Sequence, residues 1–215
     1  MSVSRKTVLI ILAFFAIYVI WGSTYLLNKI AVLQLQPFFL SALRFIVAGI
    51  IIFIIAKSLR VDLSITKKQL ANSIISGFLF LTLGNGLAVV ALQYIDSSFA
   101  ALEISAQPLV VLVMMRVLFG KRITAMSYIG VVLGFIGIFL LVSQKEIITK
   151  DGQVLGMILI FTCMLSWAYG SIFVGKADLP SNIFVNAGYQ MLTGGIMLAI
   201  ISLILNESWL LPNMW

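Results

Sequence analysis

The stretch Thr7–Asn28, TVLIILAFFAIYVIWGSTYLLN, decides the fold class. It contains no charged residue. A hydrocarbon core of roughly 30 Å takes about 20 helical residues to cross, so one such run is a membrane-span candidate. The pattern recurs along the chain. Residues 69–95, 123–144, 152–175 and 179–206 are also uncharged, and 37–56 and 97–119 are as apolar with charges inside. Across the 215 residues, 62% are hydrophobic and 10% charged, a balance that no soluble globular domain uses. The reading is an all-α polytopic membrane protein with about seven transmembrane helices: Thr7–Leu27, Pro37–Ala56, Leu70–Leu92, Ser97–Leu118, Met126–Val142, Val154–Val174 and Ile183–Leu205.

The net charge of +7 would suggest a nucleic-acid surface in a soluble domain. Here its distribution follows the positive-inside rule instead, and no nucleic-acid partner is expected. With the N-terminus in the cytoplasm, Arg5, Lys6, Lys57, Arg60, Lys67, Lys68, Lys121, Arg122 and Lys176 lie inside, against Lys29, Lys145 and Lys150 outside. The expected location is a plasma or inner membrane, with the bilayer as the main partner. The first apolar segment reads as a retained helix, too long for a signal-peptide core. The lone Cys163 permits no intrachain disulfide. No metal, cofactor or catalytic residue is expected. The chain has no histidine, and its aspartates, Asp62, Asp96, Asp151 and Asp178, fall in loops or at helix ends. That leaves no basis for an intramembrane protease, so the chain is not read as an enzyme. A channel would want a ring of like charge or a filter loop, and neither is visible. A channel-like protein, or a non-transporting fragment that needs a partner, remains the alternative.

The chain also repeats itself. A gapless shift of 146 residues brings Phe15 onto Phe161, Trp21 onto Trp167, Gly49 onto Gly195, and Ile50, Ile54 and Ile55 onto Ile196, Ile200 and Ile201. The unit holds five helices, an odd number, so its second copy runs inverted in the membrane. Residues 1–145 form the first repeat, and 152–215 the start of the second. Two inverted repeats with a site between them are a transporter architecture.

With Trp21-Gly22-Ser23-Thr24-Tyr25, Pro37, Arg44-Phe45, Ala48-Gly49, Gly84-Asn85-Gly86-Leu87, Ala91-Leu92-Gln93-Tyr94, Pro108, and Gly130, Gly134 and Gly137 in order, the chain resembles the EamA-type family of the drug/metabolite transporter superfamily. The resemblance implies ten helices in two inverted five-helix repeats, and a permease that moves small organic metabolites, often outward, by alternating access. Two departures stand out. Lys121-Arg122 occupies the place where many members carry a glutamate, and three helices of the second repeat are absent. The expectation is therefore an apparently truncated chain that closes its path with a partner, a homodimer being the candidate.

Ionisable groups within membrane helices are costly and point to function. Arg44 and Glu103 sit at equal depth, roughly 10 Å below the outer surface at 1.5 Å per residue, which predicts that they pair. Asn85 lies at the same depth between two glycines, and Glu103 and Gln107 share a helix face. Trp21, Arg44, Asn85, Glu103, Gln107, Trp167 and Gln190 are the candidate substrate-binding residues, with Trp167 and Gln190 the repeat counterparts of Trp21 and Arg44. Helices 1, 3, 4 and 6 are expected to line the path, with helix 5 outside. Its Gly130, Gly134 and Gly137 predict a packing seam, and Pro108 predicts a kink in helix 4.

Overall fold

The computed structural model describes residues 5–120, 124–142 and 151–209. Seven helices account for most of them: α1, Lys6–Val32; α2, Pro37–Ser58; α3, Lys67–Ala91; α4, Ser97–Phe119; α5, Ala125–Val142; α6, Gln153–Val174; and α7, Ile183–Ile204. There is no strand among the described residues. Six of these helices, α1–α4, α6 and α7, are long and apolar enough to cross a membrane, and α5 is an apolar, uncharged helix of 18 residues.

Two boundaries differ from the sequence reading by more than a couple of residues, each for a visible reason. Helix α1 runs past Lys29 because the ammonium has somewhere to go: Nζ donates to the carbonyls of Leu92 at 2.5 Å and Ile95 at 2.9 Å. A cation at the end of α3 suits the negative pole of that helix. Helix α3 starts at Lys67 because Thr66 and Gln69 form a reciprocal cap, with Gln69 N–H donating to Thr66 Oγ1 at 3.1 Å and Thr66 N–H to Gln69 Oε1 at 3.2 Å. Thr66-Lys67-Lys68-Gln69 is the capping-box pattern.

Three interruptions shape the interior. Helix α1 widens to π geometry over Ala16–Trp21, and α3 does so over Phe78–Gly86. Helix α4 is broken into Ser97–Ile104 and Gln107–Phe119. Pro108 has no N–H to give the carbonyl one turn back and its ring crowds that turn, so the predicted distortion becomes a break at Ser105–Ala106.

The body of the molecule is the layer α2–α7–α3, closed through glycines. A Cβ on Gly49 would lie 2.9 Å from Leu192, on Gly188 2.7 Å from Phe53, on Gly195 2.8 Å from Ile46, and on Gly77 2.7 Å from the Gln190 carbonyl oxygen. Small residues let helix backbones approach this closely where lipid gives no hydrophobic drive. Thr82 adds a bond from Oγ1 to the Gly194 carbonyl at 3.3 Å. The N-terminus of α2 is capped from beyond α7, with the Phe38 and Phe39 N–H groups donating to the Glu207 carboxylate at 3.2 and 2.7 Å. A second core gathers Val32, Leu40, Val89, Leu92, Ile95, Ala100, Ile160 and Met164. It closes one end of the space between α1, α3, α4 and α6.

Helix α5 corrects one expectation. Its predicted glycine seam has little to pack: Gly134 meets Leu109 of α4, whereas Gly130 and Gly137 face open space among the described residues. The seam that holds the molecule together belongs to α2, α3 and α7.

Candidate functional site

Between α1, α3, α4 and α6 lies a cavity of about 170 Å³, walled by Trp21, Thr24, Tyr25, Asn28, Gly84, Asn85, Ala88, Leu92, Ile104, Gln107, Cys163 and Trp167. These are the four helices named from sequence. From α1 come Trp21, Thr24, Tyr25 and Asn28, spaced i, i+3, i+4 and i+7, one face of a helix.

Trp167 is set by α3. The glycine at 84 leaves room for its indole, since a Cβ there would lie 2.5 Å from Cδ1. The indole packs on Phe80 with ring centroids 4.7 Å apart, and Phe80 in turn presses against Gly170. The π geometry of α3 puts carbonyls within reach of side chains. Ser166 Oγ donates to the Leu79 carbonyl at 2.7 Å, and Asn85 Nδ2 to the Phe80 carbonyl at 3.1 Å. Buried polar groups are thereby satisfied, and α6 is pinned to the widened part of α3. Gln107 ties α4 to α6, with Nε2 donating to the Met164 carbonyl at 3.0 Å.

Trp21, Ile104 and Gln107 also line a larger cavity of about 710 Å³. That vestibule follows Pro108, Val111, Leu112 and Met115 along the second half of α4 to Thr124 and Ser127 at the start of α5. The larger cavity therefore adjoins the central one on the side toward α5. At the opposite end of the central cavity stand Leu92, the Lys29 bonds and the apolar core around Val32 and Ile95.

Of the seven residues singled out in the sequence, Trp21, Asn85, Gln107 and Trp167 wall this one cavity. Arg44 stands behind the wall, its guanidinium donating to Asn28 Oδ1 at 2.6 Å. Gln190 is outside it, on α7, donating to Asn186 Oδ1 at 2.7 Å. The expected Arg44–Glu103 pair is not formed. The Ser97–Ile104 half of α4 packs against α1 and α6, while Asn28 on α1 takes the guanidinium, and Glu103 is not among the residues that wall the cavity. One carboxylate oxygen of Glu103, Oε2, is buried and has no hydrogen-bond partner.

Sequence reading passed over Thr24, Tyr25, Asn28 and Lys29. Their signal was available in the helical spacing of polar groups with Trp21. No cluster of metal-ligating side chains occurs among the described residues.

Comparison with known proteins gives a consistent result. The model of the EamA-like transporter family matches residues 8–143. YedA of Escherichia coli K12, named an uncharacterized inner membrane transporter, is 34% identical over 198 residues, which is 91% of this chain and 62% of that protein. YoaV of Bacillus subtilis, named an uncharacterized transporter, is 22% identical over 210 residues, 96% of this chain and 72% of the relative. An uncharacterized transporter of Buchnera aphidicola from Schizaphis graminum is 25% identical over 197 residues, 91% and 65% of the two chains. The chain thus spans less than two thirds of YedA. No solved structure matches it.

Proposed function

The chain belongs to the EamA-like transporter family, a family of membrane transporters, and from that premise we propose that it is a secondary carrier for small organic metabolites working by alternating access. The observation that carries the reading is the shared cavity of Trp21 and Trp167. These two tryptophans are 146 residues apart, on helices that the internal repeat relates, and they wall one space. A second observation supports it. Gly49 packs on Leu192 and Gly195 on Ile46; under the same shift of 146 residues, each contact becomes the other. Reciprocal contacts of this kind are what a two-fold relation between inverted repeats requires.

In this reading the central cavity is the substrate site. Trp21, Asn85, Gln107 and Trp167 contact the solute, Arg44 acts through Asn28, and Glu103 supplies charge from behind the Ile104–Gln107 wall. Gln190 marks the corresponding depth in the second repeat. The N-terminus is cytoplasmic, so the vestibule faces the cytoplasm and the Lys29 end is the closed outer gate. Export follows from the family resemblance alone. A homodimer is the partner we propose.

Cysteine accessibility tests the reading. In a Cys163→Ala background, Asn85→Cys should react with a water-soluble thiol reagent, more slowly when transported solute is present, while Gly137→Cys should not be protected. An inert Asn85→Cys beside a reactive Gly137→Cys would remove the cavity from the transport path. Orientation is read the same way: Asp96→Cys should label from outside intact cells and Asp178→Cys only after permeabilisation.

A further inference from the structure

We propose that the central cavity takes a small, flat, uncharged amide, whose carbonyl oxygen accepts from Asn28 and whose N–H groups donate to Asn85 and Gln107. The inference rests on the carrier reading above and narrows it to a substrate class. Three side-chain amides belong to the wall, those of Asn28, Asn85 and Gln107, and each is oriented by a partner of one kind. A guanidinium can only donate, and a main-chain carbonyl can only accept. Arg44 Nη1 donates to Asn28 Oδ1 at 2.6 Å, so the Asn28 NH2 group is the end left for a ligand. Asn85 Nδ2 donates to the Phe80 carbonyl at 3.1 Å and Gln107 Nε2 to the Met164 carbonyl at 3.0 Å, so at these two residues the oxygens are left.

The wall therefore brings a donor from α1 and acceptors from α3 and α4. The indole N–H groups of Trp21 and Trp167 and the Tyr25 hydroxyl add donors that no described residue takes up. An amide matches this division, because it carries an acceptor oxygen and N–H donors side by side in one plane. A ketone or ester supplies only the acceptor, and would leave the oxygens of Asn85 and Gln107 unmet.

Charge points the same way. Every residue of the wall is uncharged, and a buried ion is costly unless a counter-charge meets it. Arg44 stands behind the wall and is held by Asn28; Glu103 lies outside the wall. The two are of opposite sign, so the surroundings favour neither an anion nor a cation. Shape and size follow from the aromatic residues and the volume. Trp21 and Tyr25 form a corner, with ring centroids 6.1 Å apart and planes at 65°, and Trp167 is set on Phe80. Flat rings pack well on such faces. An apolar cavity of about 150 Å³ holds a benzene ring, so about 170 Å³ accepts one ring with a carboxamide-sized group.

The test uses four flat probes of nearly equal size: benzamide, benzoate, benzamidine as its cation, and acetophenone, which keeps the carbonyl and lacks the N–H groups. Binding to the purified chain in lipid nanodiscs is measured by titration calorimetry. Benzamide should bind about tenfold or more tightly than each of the other three, since each leaves a polar group of the wall unmet or brings an unmatched charge. Asn28→Asp keeps an acceptor for Arg44 and replaces the donor with a second oxygen. It should weaken benzamide and shift the benzamide-to-benzamidine ratio about fivefold or more toward the amidine, a change of preference that mere loosening of the fold would not produce. Thermal melts verify folding; should Asn28→Asp fail to fold, the four-probe ranking on the parent chain decides. Acetophenone or either ion binding as tightly as benzamide overturns the proposal, and so does a folded Asn28→Asp with an unchanged ratio. If none of the four binds, the amide assignment falls, and protection of Asn85→Cys by a transported solute still decides the carrier reading separately.

Discussion

Helices α1 and α7 are built from the same kind of sequence and end in opposite situations. Helix α1 is the more apolar, with a mean hydropathy of 2.1 against 1.6. Yet it buries none of its described residues before Val32, whereas α7 buries Val185, Gly188, Gly194, Gly195, Leu198 and Ser202. In water the more hydrophobic helix would be the more buried one. In a bilayer, lipid tails are as apolar as leucine, so close fit and interhelical hydrogen bonds decide the packing. Glycine alone does not decide it either. Gly22 of α1 has nothing within 4 Å, while Gly195 of α7 would bring a Cβ to 2.8 Å from Ile46. What α7 has and α1 lacks is a facing helix with a bulky residue opposite each glycine.

The largest expected effect lies in that seam. A Cβ at Gly77 would sit 2.7 Å from the Gln190 carbonyl oxygen, and one at Gly194 2.9 Å from the Gly77 carbonyl oxygen. Backbone atoms cannot rotate aside as a side chain can. Gly77→Ala and Gly194→Ala should each lower stability by about 1–3 kcal/mol, the usual range for overpacking. Unfolding in mixed micelles would measure it, and the double variant should be non-additive because the two sites adjoin. Stability equal to the parent chain would mean that the seam is looser than these distances and that α7 is no better held than α1.

Next in size is the lysine tie that fastens the end of α1 to the end of α3. Lys29→Met leaves the Leu92 and Ile95 carbonyls without their donor and removes a cation from the end of α3. Hydrogen bonds to charged groups contribute about 1.5–3 kcal/mol, with part recovered if water enters. The cost should therefore be about 1–2 kcal/mol, and a cysteine at Asn28 should become more reactive as the end of α1 lifts. An unchanged Asn28→Cys reactivity would show that the Val32 core, not the lysine, holds this helix.

How much of this was readable in the sequence divides along the same line. Hydropathy gave the helices and their order, because length and lack of charge are what a span requires. The four helices around the cavity were also legible, since Trp21 and Asn85 are aromatic and polar groups at one depth and Trp167 is the repeat counterpart of Trp21; Glu103, read as facing the path from α4, is not in the wall, and Gln107 is. Partners were not. Equal depth suggested Arg44 with Glu103, but depth is one coordinate and the rotation of each helix is another. The break at Ser105–Ala106 separates the turn of α4 that holds Glu103 from the rest of the helix. Nor could spacing alone tell Gly130 and Gly137, which face open space, from Gly77 and Gly194, which carry the packing. The pattern on one helix says nothing of the residue opposite.

A smaller effect is expected at the junction of α7 with α2. The Glu207 carboxylate accepts from two N–H groups in the first turn of α2 and from Ser202 Oγ at 2.8 Å, while Trp209 Nε1 donates to Ser202 Oγ at 3.1 Å and its ring lies 5.2 Å from that of Phe39. Glu207→Gln keeps one acceptor and loses the charge that suits a helix N-terminus. The loss should be about 1 kcal/mol, read as a lower melting temperature and weaker protection of the Phe38 and Phe39 amides from exchange. A drop as large as that of Gly77→Ala would move the main tie between these helices from the glycines to the cap.

The smallest effect belongs to α5, and it bears most directly on why two glycine-bearing helices behave so differently. Gly130 and Gly137 have no described atom within 4 Å of where a Cβ would stand, so a larger side chain there displaces nothing in the subunit. Gly130→Leu and Gly137→Leu should leave the stability of the monomer within about 0.5 kcal/mol, as surface substitutions do. Gly134→Leu, which meets Leu109, should be the one member of the trio with a measurable cost, because Leu109 must turn to admit it. Size-exclusion chromatography in detergent adds a second readout. If Gly130→Leu or Gly137→Leu changes the oligomeric state while the monomer stays stable, the α5 face packs on a neighbour as α7 packs within the chain. If neither variant changes stability or size, the open glycines of α5 face lipid, and the difference between the helices comes entirely from what stands opposite them.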